Sequence, residues 1–559
     1  MEFEKIIVNI LKKETKLKEI SLEVPPSIEL GDYTFPCFQL SNQRKKSPNE
    51  IANELAKQIP KEYFIKDIVA NGPYLNFFLN YENLIKETLT KISLKKKNFG
   101  KQKIGKNKKI VIDFSSPNIA KPFSIGHLRS TVIGNSLYKI HKFLGYKVMG
   151  VNHLGDWGTQ FGKLILAYKK WGEEQKLKKE PIKYLLKLYI KLHKEIEKNP
   201  KLEDQARQEF KKLEEKNKES IKLWRIFKKL SLTEFRKIYD LLDIKFDSYK
   251  GESFYNTKSN KTIKKIHKKL KTTLSEGALI IDLKKYKMPP MILIKSNKTS
   301  GYHTRDLAAA FYRLKKYNPE KIIYVVGSEQ KLHFKQLFKV LDMAKINKEK
   351  FAHVDFGLYH FQGGKMSTRK GNIIFVEEVL NKAINLAEKK IQKKNPHLIN
   401  KKEIAKQIGI GAIIFGDLNN DRTRNIEFDW DKIISLVGET APYIQYTHAR
   451  ACNIIKKANL KINTKINFSL LNNQQEIKII KRLHIFPKIL REVITDYKPH
   501  KLANYLISLS KEFNEFYSHK KVLSNDMDQM KARLLLVSST KQVLKNGLNL
   551  LGIKAPQQM

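Results

Sequence analysis

A chain of 559 residues with 41% hydrophobic and 29% charged residues has a soluble globular make-up and is too long for one core; at about 150 residues per domain it divides into three or four. Disorder throughout, a collagen-like fibre, a membrane-spanning helix and a disulfide scaffold are excluded: the apolar run Ile408–Gly416 is nine residues, short of the ~20 that cross a bilayer, and there are two cysteines, Cys37 and Cys452. Lysine and arginine total 108 against 56 acidic residues, a net charge of +52, which reads either as a field for a polyanionic partner or as the Lys-, Asn- and Ile-rich usage of an AT-rich genome.

In chain order, Ile6, Ile7, Ile10 and Leu11 mark an amphipathic first helix, Gly31-Asp32-Tyr33 a turn, and Tyr74–Leu79 a strand. The Lys-rich run 94–109, with Gly100 and Gly105, reads as a linker. Residues 110–116 read as a buried strand, followed by a loop with Pro117 and Pro122 and a helix from about Ile125, the opening of an α/β unit. Tyr146–Val151 is a second strand. Residues 165–250 carry helical patterns, with a stripe at Leu185, Leu188, Tyr189, Leu192 and Ile196, and read as an insertion between two halves of a parallel sheet. Strands return at 278–282, 291–294 and 322–326. Long helices are expected at 443–458, 475–496, 502–517 and 530–551, making a carboxyl-terminal bundle of about 130 residues. Met1-Glu2-Phe3-Glu4-Lys5 lacks a basic stretch leading into a long apolar one, so no signal peptide is expected and the cytoplasm is the expected compartment.

Two loops carry chemistry. Ser115-Ser116-Pro117-Asn118 through Ser124-Ile125-Gly126-His127-Leu128-Arg129-Ser130 lies where a strand gives way to a helix, the ligand position of an open parallel sheet. Gly126 lets a flat base approach the backbone, and His127 on the first helical turn can donate to a phosphate. Gly363-Gly364-Lys365-Met366-Ser367-Thr368-Arg369-Lys370-Gly371-Asn372 is cationic and glycine-rich, fit to cover a triphosphate and neutralise a departing pyrophosphate. Taken singly, each reads equally as a turn or a basic surface loop.

Together, about 240 residues apart and flanking a helical insertion, the two loops resemble the signatures His-x-Gly-His and Lys-Met-Ser-x-x of the class I aminoacyl-tRNA synthetases. The likeness is closest to the arginyl-tRNA synthetase family and runs nearly end to end. It includes Asp113–Ser130, Asn152–Gly162, Glu252-Ser253-Phe254-Tyr255, Tyr302–Asp306, Phe428-Asp429-Trp430-Asp431, Pro442–Arg450 and the tail Leu551–Met559. Ser124 stands where the family pattern has its first histidine; the second, His127, is present, as are Lys365, Met366 and Ser367. The resemblance implies a Rossmann-like α/β nucleotide-binding catalytic domain over 106–385, with a helical insertion over about 165–275. It implies a small α+β amino-terminal domain over 1–105, a connecting stem-contact region over 386–425 and an all-α anticodon-binding bundle over 426–559.

A guanidinium is planar, forked and permanently charged, and suits carboxylates with a phenol nearby. Asp113 ends the first strand, and Tyr302 and Asp306 share a helical face, although strand-end and capping roles would also account for the carboxylates. The resemblance puts Asp113, Tyr302 and Asp306 around the guanidinium, and Asn118 and Gln330 at the α-amino and carboxylate end. It implies ATP bound by Gly126, His127, Lys365, Met366 and Ser367, with His127, Lys365 and Ser124 serving catalysis. It also implies Mg²⁺ with the ATP, no zinc, L-arginine and tRNA(Arg) as partners, no membrane partner and a monomer. Asn76, Phe77, Tyr446, Tyr517 and Met559 are its RNA-contact candidates, the phenylalanines Phe77 and Phe78 competing with a core role. Cys37 and Cys452 read as small apolar residues, and Trp157 and Trp224 as packing ones. Rival expectations are a class I synthetase for glutamate, cysteine or lysine, a non-catalytic tRNA-binding homologue, and a small-molecule adenylyltransferase. Two distant cysteines cannot supply the zinc ligands of the cysteine type, and an adenylyltransferase would lack the large helical end.

Overall fold

The computed structural model describes residues 3–296, 298–360, 374–427, 429 and 438–559, the side chain of Ile28 excepted. Lys365, Met366 and Ser367 lie outside the described residues, as do Phe428 and Trp430-Asp431. The chain forms two compact units. One holds Met1–Phe99, Ala451–Phe486 and Lys511–Val543; the other holds Gly100–Arg450, Pro487–Ser510 and Leu544–Met559.

In the first unit, helix α1 (Phe3–Thr15) buries Phe3, Ile7 and Leu11, one stripe of its surface. Strand β1 (Tyr33–Pro36) is followed by α2 (Phe38–Arg44), α3 (Pro48–Gln58), β2 (Ile65–Asn71), β3 (Tyr74–Leu79) and α4 (Tyr81–Lys95). The strands form an antiparallel sheet in the order β1–β3–β2. Helix α3 starts cleanly because Ser47 Oγ accepts the Glu50 amide, the Glu50 carboxylate accepts the Ser47 amide and Pro48 opens the helix. Gly31 has φ +109°, and a Cβ there would stand 3.0 Å from the Phe77 carbonyl, so the turn needs glycine. It delivers the buried Asp32, which accepts the Leu79 amide (2.8 Å) and the Tyr81 hydroxyl (2.9 Å) and pairs with Lys481.

The second unit opens with β4 (Lys109–Asp113), α5 (Ile125–Phe143) and β5 (Lys147–Val151). The expected helical insertion follows as α6 (Thr159–Trp171), α7 (Glu174–Lys179), α8 (Pro181–Lys198), α9 (Lys201–Glu214) and α10 (Lys218–Leu241), around a core that includes Leu166, Leu188, Leu192, Leu202 and Ala206. Short helices α11 (Glu252–Asn256) and α12 (Ser259–His267) precede strands β6 (Thr273–Ser275), β7 (Ala278–Ile281) and β8 (Met291–Ile294). Next come α13 (Tyr302–Tyr317), β9 (Lys321–Gly327), α14 (Lys331–Met343), β10 (Phe351–Phe356), β11 (Tyr359–His360), α15 (Val376–Lys394), α16 (Lys401–Leu418) and β12 (Ile426–Glu427). The helical end comprises α17 (Ala441–Ala458), α18 (Gln474–Asp496), α19 (His500–His519) and α20 (Met527–Leu551).

The parallel sheet runs β10–β9–β4–β5. Its order reverses between β4 and β9, which opens a crevice at the carboxyl ends of these strands. Two expected strands belong elsewhere: β7 and β8 join β6 in a separate antiparallel sheet. Burial explains the difference. β4 and β9 are buried along most of their length, as parallel strands covered on both faces must be, whereas β8 alternates buried and exposed residues at its start. Val111, Ile322, Tyr324, Leu307, Leu337 and Leu341 form the core between the sheet and α13 and α14.

Candidate active site

β4 ends at Asp113, and the chain then takes left-handed backbone at Ser115 (φ 73°), Ser116 (φ 48°) and Ala120 (φ 58°). Such non-glycine geometry costs about 1–3 kcal/mol per residue and persists only where neighbours enforce it. They do so here. Ser130 Oγ accepts the Ser115 amide (2.9 Å) and donates to the Val325 carbonyl (2.6 Å). Tyr239 Oη lies 2.8 Å from Ser115 Oγ, and Ser231 Oγ accepts the Ala120 amide (2.8 Å). Both residues come from α10, so the inserted helices buttress the first signature loop.

Ser124 is the N-cap of α5, and Gly126 is exposed on the first turn. The Ser124 amide donates to His127 Nδ1 (3.1 Å), and Ser124 Oγ lies 3.0 Å from the same nitrogen. With Nδ1 accepting, the imidazole proton resides on Nε2, available to a phosphate at the positive helix end. Burial, reinforced by the charge of Lys121, pushes His127 down to about 4, so the ring is neutral at pH 7. The Ser124 hydroxyl therefore lies against the histidine and orients it.

One wall of the crevice is assembled around four elements. Asp113, 4% exposed, ends β4; Asn152 and His153 follow β5; Tyr302 and Asp306 open α13; Gln330 and His333 follow β9. Asp113 and Asp306 are linked through buried intermediaries. Arg313, wholly buried three turns along α13, places Nη1 2.8 Å from Asp113 Oδ2 and donates through Nη2 to His153 Nδ1 (3.0 Å). Both carboxylates act on His153 and Tyr324. Asp113 therefore enters the crevice already paired, its other oxygen accepting the Ser116 hydroxyl (2.9 Å). Asp306 accepts from His333 Nε2 (2.7 Å), and the exposed Tyr302 ring lies 4.0 Å from His303 and 5.0 Å from His333. Asn118 is bridged to Gly155, where a Cβ would fall 2.1 Å from Asn118 Oδ1, and Gln330 is exposed at the mouth. Asp156, wholly buried, pairs with Lys228 and accepts the Ser253 amide (2.8 Å), which fastens the Glu252-Ser253 segment beside this wall.

Burial raises the Asp306 carboxyl, but the hydrogen bond and charge of His333, with His153 and Arg313, outweigh it and pull it down to about 2. A lowered carboxyl pKa stabilises the fold above the ordinary value of about 3.9, and that contribution is lost as pH falls towards about 2. Asp306→Asn is expected to flatten the acid-unfolding curve between those limits, followed by circular dichroism.

A family model described as tRNA synthetases class I (R), catalytic domain, matches residues 88–430. An arginyl tRNA synthetase N terminal domain model matches 1–79, and a DALR anticodon binding domain model matches 444–559. The arginine–tRNA ligases of Clostridioides difficile strain 630 and Clostridium perfringens strain 13 are 44% and 47% identical to it, each aligned over 100% of both chains. The chain belongs to the class I arginyl-tRNA synthetase family. The Thermus thermophilus arginyl-tRNA synthetase structure superposes with a TM-score of 0.84 at 25% identity, over 100% of this chain and 99% of that one. The activity is accordingly that of an arginine–tRNA ligase.

The RNA-contact positions expected of a synthetase fare unequally. Phe77 is corrected: it is wholly buried in β3, and Asn76 beside it is 5% exposed, because Thr34 and Val69 flank that position in the sheet. Neither presents a surface to a base, while Phe78 is half-buried. Tyr446 is 45% exposed with the Arg450 guanidinium 4.7 Å from its ring centre, and Tyr517 is 42% exposed. Met559 is half-buried against α15 and α16, and its carbonyl oxygen lies 3.4 Å from Asn395 Nδ2. Cys37 is buried and Cys452 half-buried. Trp157 and Trp224 pack edge-to-face at 5.7 Å.

Proposed function

We propose that this ligase works in two steps at the β4–β9 crevice, forming arginyl-adenylate and pyrophosphate from L-arginine and ATP and then passing the arginyl group to a terminal ribose hydroxyl, the 2′-hydroxyl, of tRNA(Arg), as the anhydride bond breaks and AMP leaves. One juxtaposition carries the reading: an ionised Asp306 with Tyr302 one turn before it on α13, coupled through His153 to the Asp113–Arg313 pair at the end of β4, the strand that leads into the loop and helix start bearing a neutral His127. In the first step an arginine carboxylate oxygen attacks the α-phosphorus as the bond to the departing pyrophosphate breaks. No protein nucleophile is required, and the chain supplies position and charge. Asp306 and Tyr302 hold the guanidinium, with Asp113 shaping the wall through Arg313. Asn118 and Gln330 address the α-amino and carboxylate groups. His127 and Lys365 bear on the phosphates, Gly126, Met366 and Ser367 line the nucleotide, and Mg²⁺ enters with the ATP as part of the substrate.

Residues 1–105 and 426–559 are the tRNA-gripping portions in this reading, with Tyr446 and Tyr517 stacking on bases, and the chain acts as a cytoplasmic monomer. Among the described residues no helix is long and apolar enough to cross a membrane. The test is pyrophosphate exchange by the purified chain with arginine, canavanine and lysine, with and without tRNA. Exchange is expected with arginine, more weakly with canavanine, and at least about 10³-fold below arginine with lysine, whose ammonium leaves half of a forked site unpaired. Exchange with lysine approaching that with arginine would overturn the pocket assignment.

A further inference from the structure

Arg129 lies on α5 two residues beyond His127, and the phosphate reading gives it no role. Its guanidinium is 1% exposed, a costly place for a permanent charge. Nη1 donates to the carbonyls of Gly357 (2.6 Å) and Arg424 (2.8 Å), and Nε stands 3.5 Å from Asp417 Oδ2 on α16. The rings of Phe356 and Tyr359 flank it at 5.9 and 5.8 Å, and Tyr359 Oη donates to the same Asp417 oxygen (2.7 Å). Burial pushes the Asp417 carboxyl up to about 6, while Arg129 and the Tyr359 hydroxyl pull it back towards the ionised form. Gly357 is held by backbone as well: it donates to the Arg422 carbonyl (2.9 Å), and a Cβ there would fall 2.5 Å from the Arg424 carbonyl.

These groups meet at the strand that leads into the second signature. β11 pairs in parallel with β12, and the next residue after it is 361. On the far side of the signature, the chain returns to the same helix start. Phe375 bridges Ser124, Ile125 donates to the Ile374 carbonyl (3.3 Å), and Val376 donates to the Phe123 carbonyl (2.9 Å). The return is made by backbone, which almost any side chain permits. The approach is held by backbone through β12 as well, but it adds a buried cation set against a buried carboxylate. Such pairs seldom stabilise a fold more than apolar residues of equal volume would, and their attested use is to specify register.

We propose that Arg129, Asp417 and Tyr359 are positioning residues that lock the strand leading to the Lys365 signature in register with the helix carrying His127, and so set the rate of adenylate formation. The inference rests on the two-step reading above. The contacts of Arg129 and Asp417 run to Gly357, Arg424 and Tyr359 rather than to Asp113, Tyr302 or Asp306, so their loss acts on turnover and leaves arginine affinity unchanged. Arg129 should outrank the others because it alone reaches Gly357, Arg424 and Asp417.

The test uses the whole chain with Arg129→Met, Arg129→Lys, Asp417→Asn and Tyr359→Phe, measuring kcat and KM for arginine in pyrophosphate exchange with tRNA present, with thermal midpoints alongside. Arg129→Met is expected to lose about 100-fold in kcat with KM for arginine within about twofold, the scale of a small misplacement of reacting groups. Arg129→Lys should lose as much, because an ammonium cannot span the two carbonyls and the carboxylate. Asp417→Asn and Tyr359→Phe should lose about tenfold each, and together less than the product, since they share one network. Tyr359→Phe removes one hydroxyl and keeps the proposal testable if the others fail to fold. Variants that melt earlier but keep kcat within about twofold would overturn the latch, as would a rise in KM for arginine that matches the loss of kcat/KM. An unaltered chain with no arginine-dependent exchange would sink the two-step reading and the latch with it; an active one with unchanged variants would sink the latch alone.

Discussion

Asp306→Asn is expected to lower kcat/KM for arginine in pyrophosphate exchange by about 10³-fold, a transition-state loss of about 4 kcal/mol. The amide keeps the shape of the carboxylate and can still accept from His333, so the wall should stay in place. What disappears is the charge, and one oxygen becomes an NH₂ that meets a guanidinium donor to donor. KM for ATP should stay within about twofold, because the described groups around Asp306 are His333, His153 and Arg313 rather than the phosphate-side His127. Retention of arginine kcat/KM within about tenfold would remove Asp306 from the guanidinium site and leave it as a partner of His333 alone.

The largest stability effect is expected at Arg313. Arg313→Leu leaves Asp113, 4% exposed, with an uncompensated charge beside His153, and should cost about 3–5 kcal/mol. Coupling the change to Asp113→Asn should restore most of that loss, since removing both members of a buried ion pair spares the orphaned charge. Activity should not return with it, because the wall opposite Asp306 would have lost its polarity. Urea titration followed by tryptophan fluorescence reads the effect, Trp157 and Trp224 lying in the same compact unit. A single variant within about 1 kcal/mol of the parent would show that Asp113 finds water or another cation.

Much of the site was legible because its signals are local. The strand-to-helix change near residue 113, the capped start of α5 and the four-residue spacing of Tyr302 and Asp306 each depend on a few neighbouring residues. The groups that complete the pocket were not. Arg313 is one of several cations along α13, and nothing in its surroundings in the chain marks it as the partner of a carboxylate 200 residues earlier. His153 lies inside the Asn152–Gly162 segment with nothing to set it apart, and His333 carries no local signal. The antiparallel sheet β6–β7–β8 was missed for a related reason: strand composition says that a segment will pair, and only its partners decide in which sheet. The alternation at the start of β8 was the one clue that it is covered on a single face.

By itself the sequence determined the family, the order of its elements and the two signature loops, because hydrophobic period, glycine and proline placement and helix caps act within a turn or a strand. Tertiary structure alone decided that Asp113 would meet Arg313, that Phe77 would face the core, that Ser124 would serve His127 and that Arg129 would reach Asp417. Each of those outcomes is a choice among partners far apart in the chain. Burial makes the choice, since a charge or ring removed from water must take whichever neighbour the sheet order and helix packing bring to it.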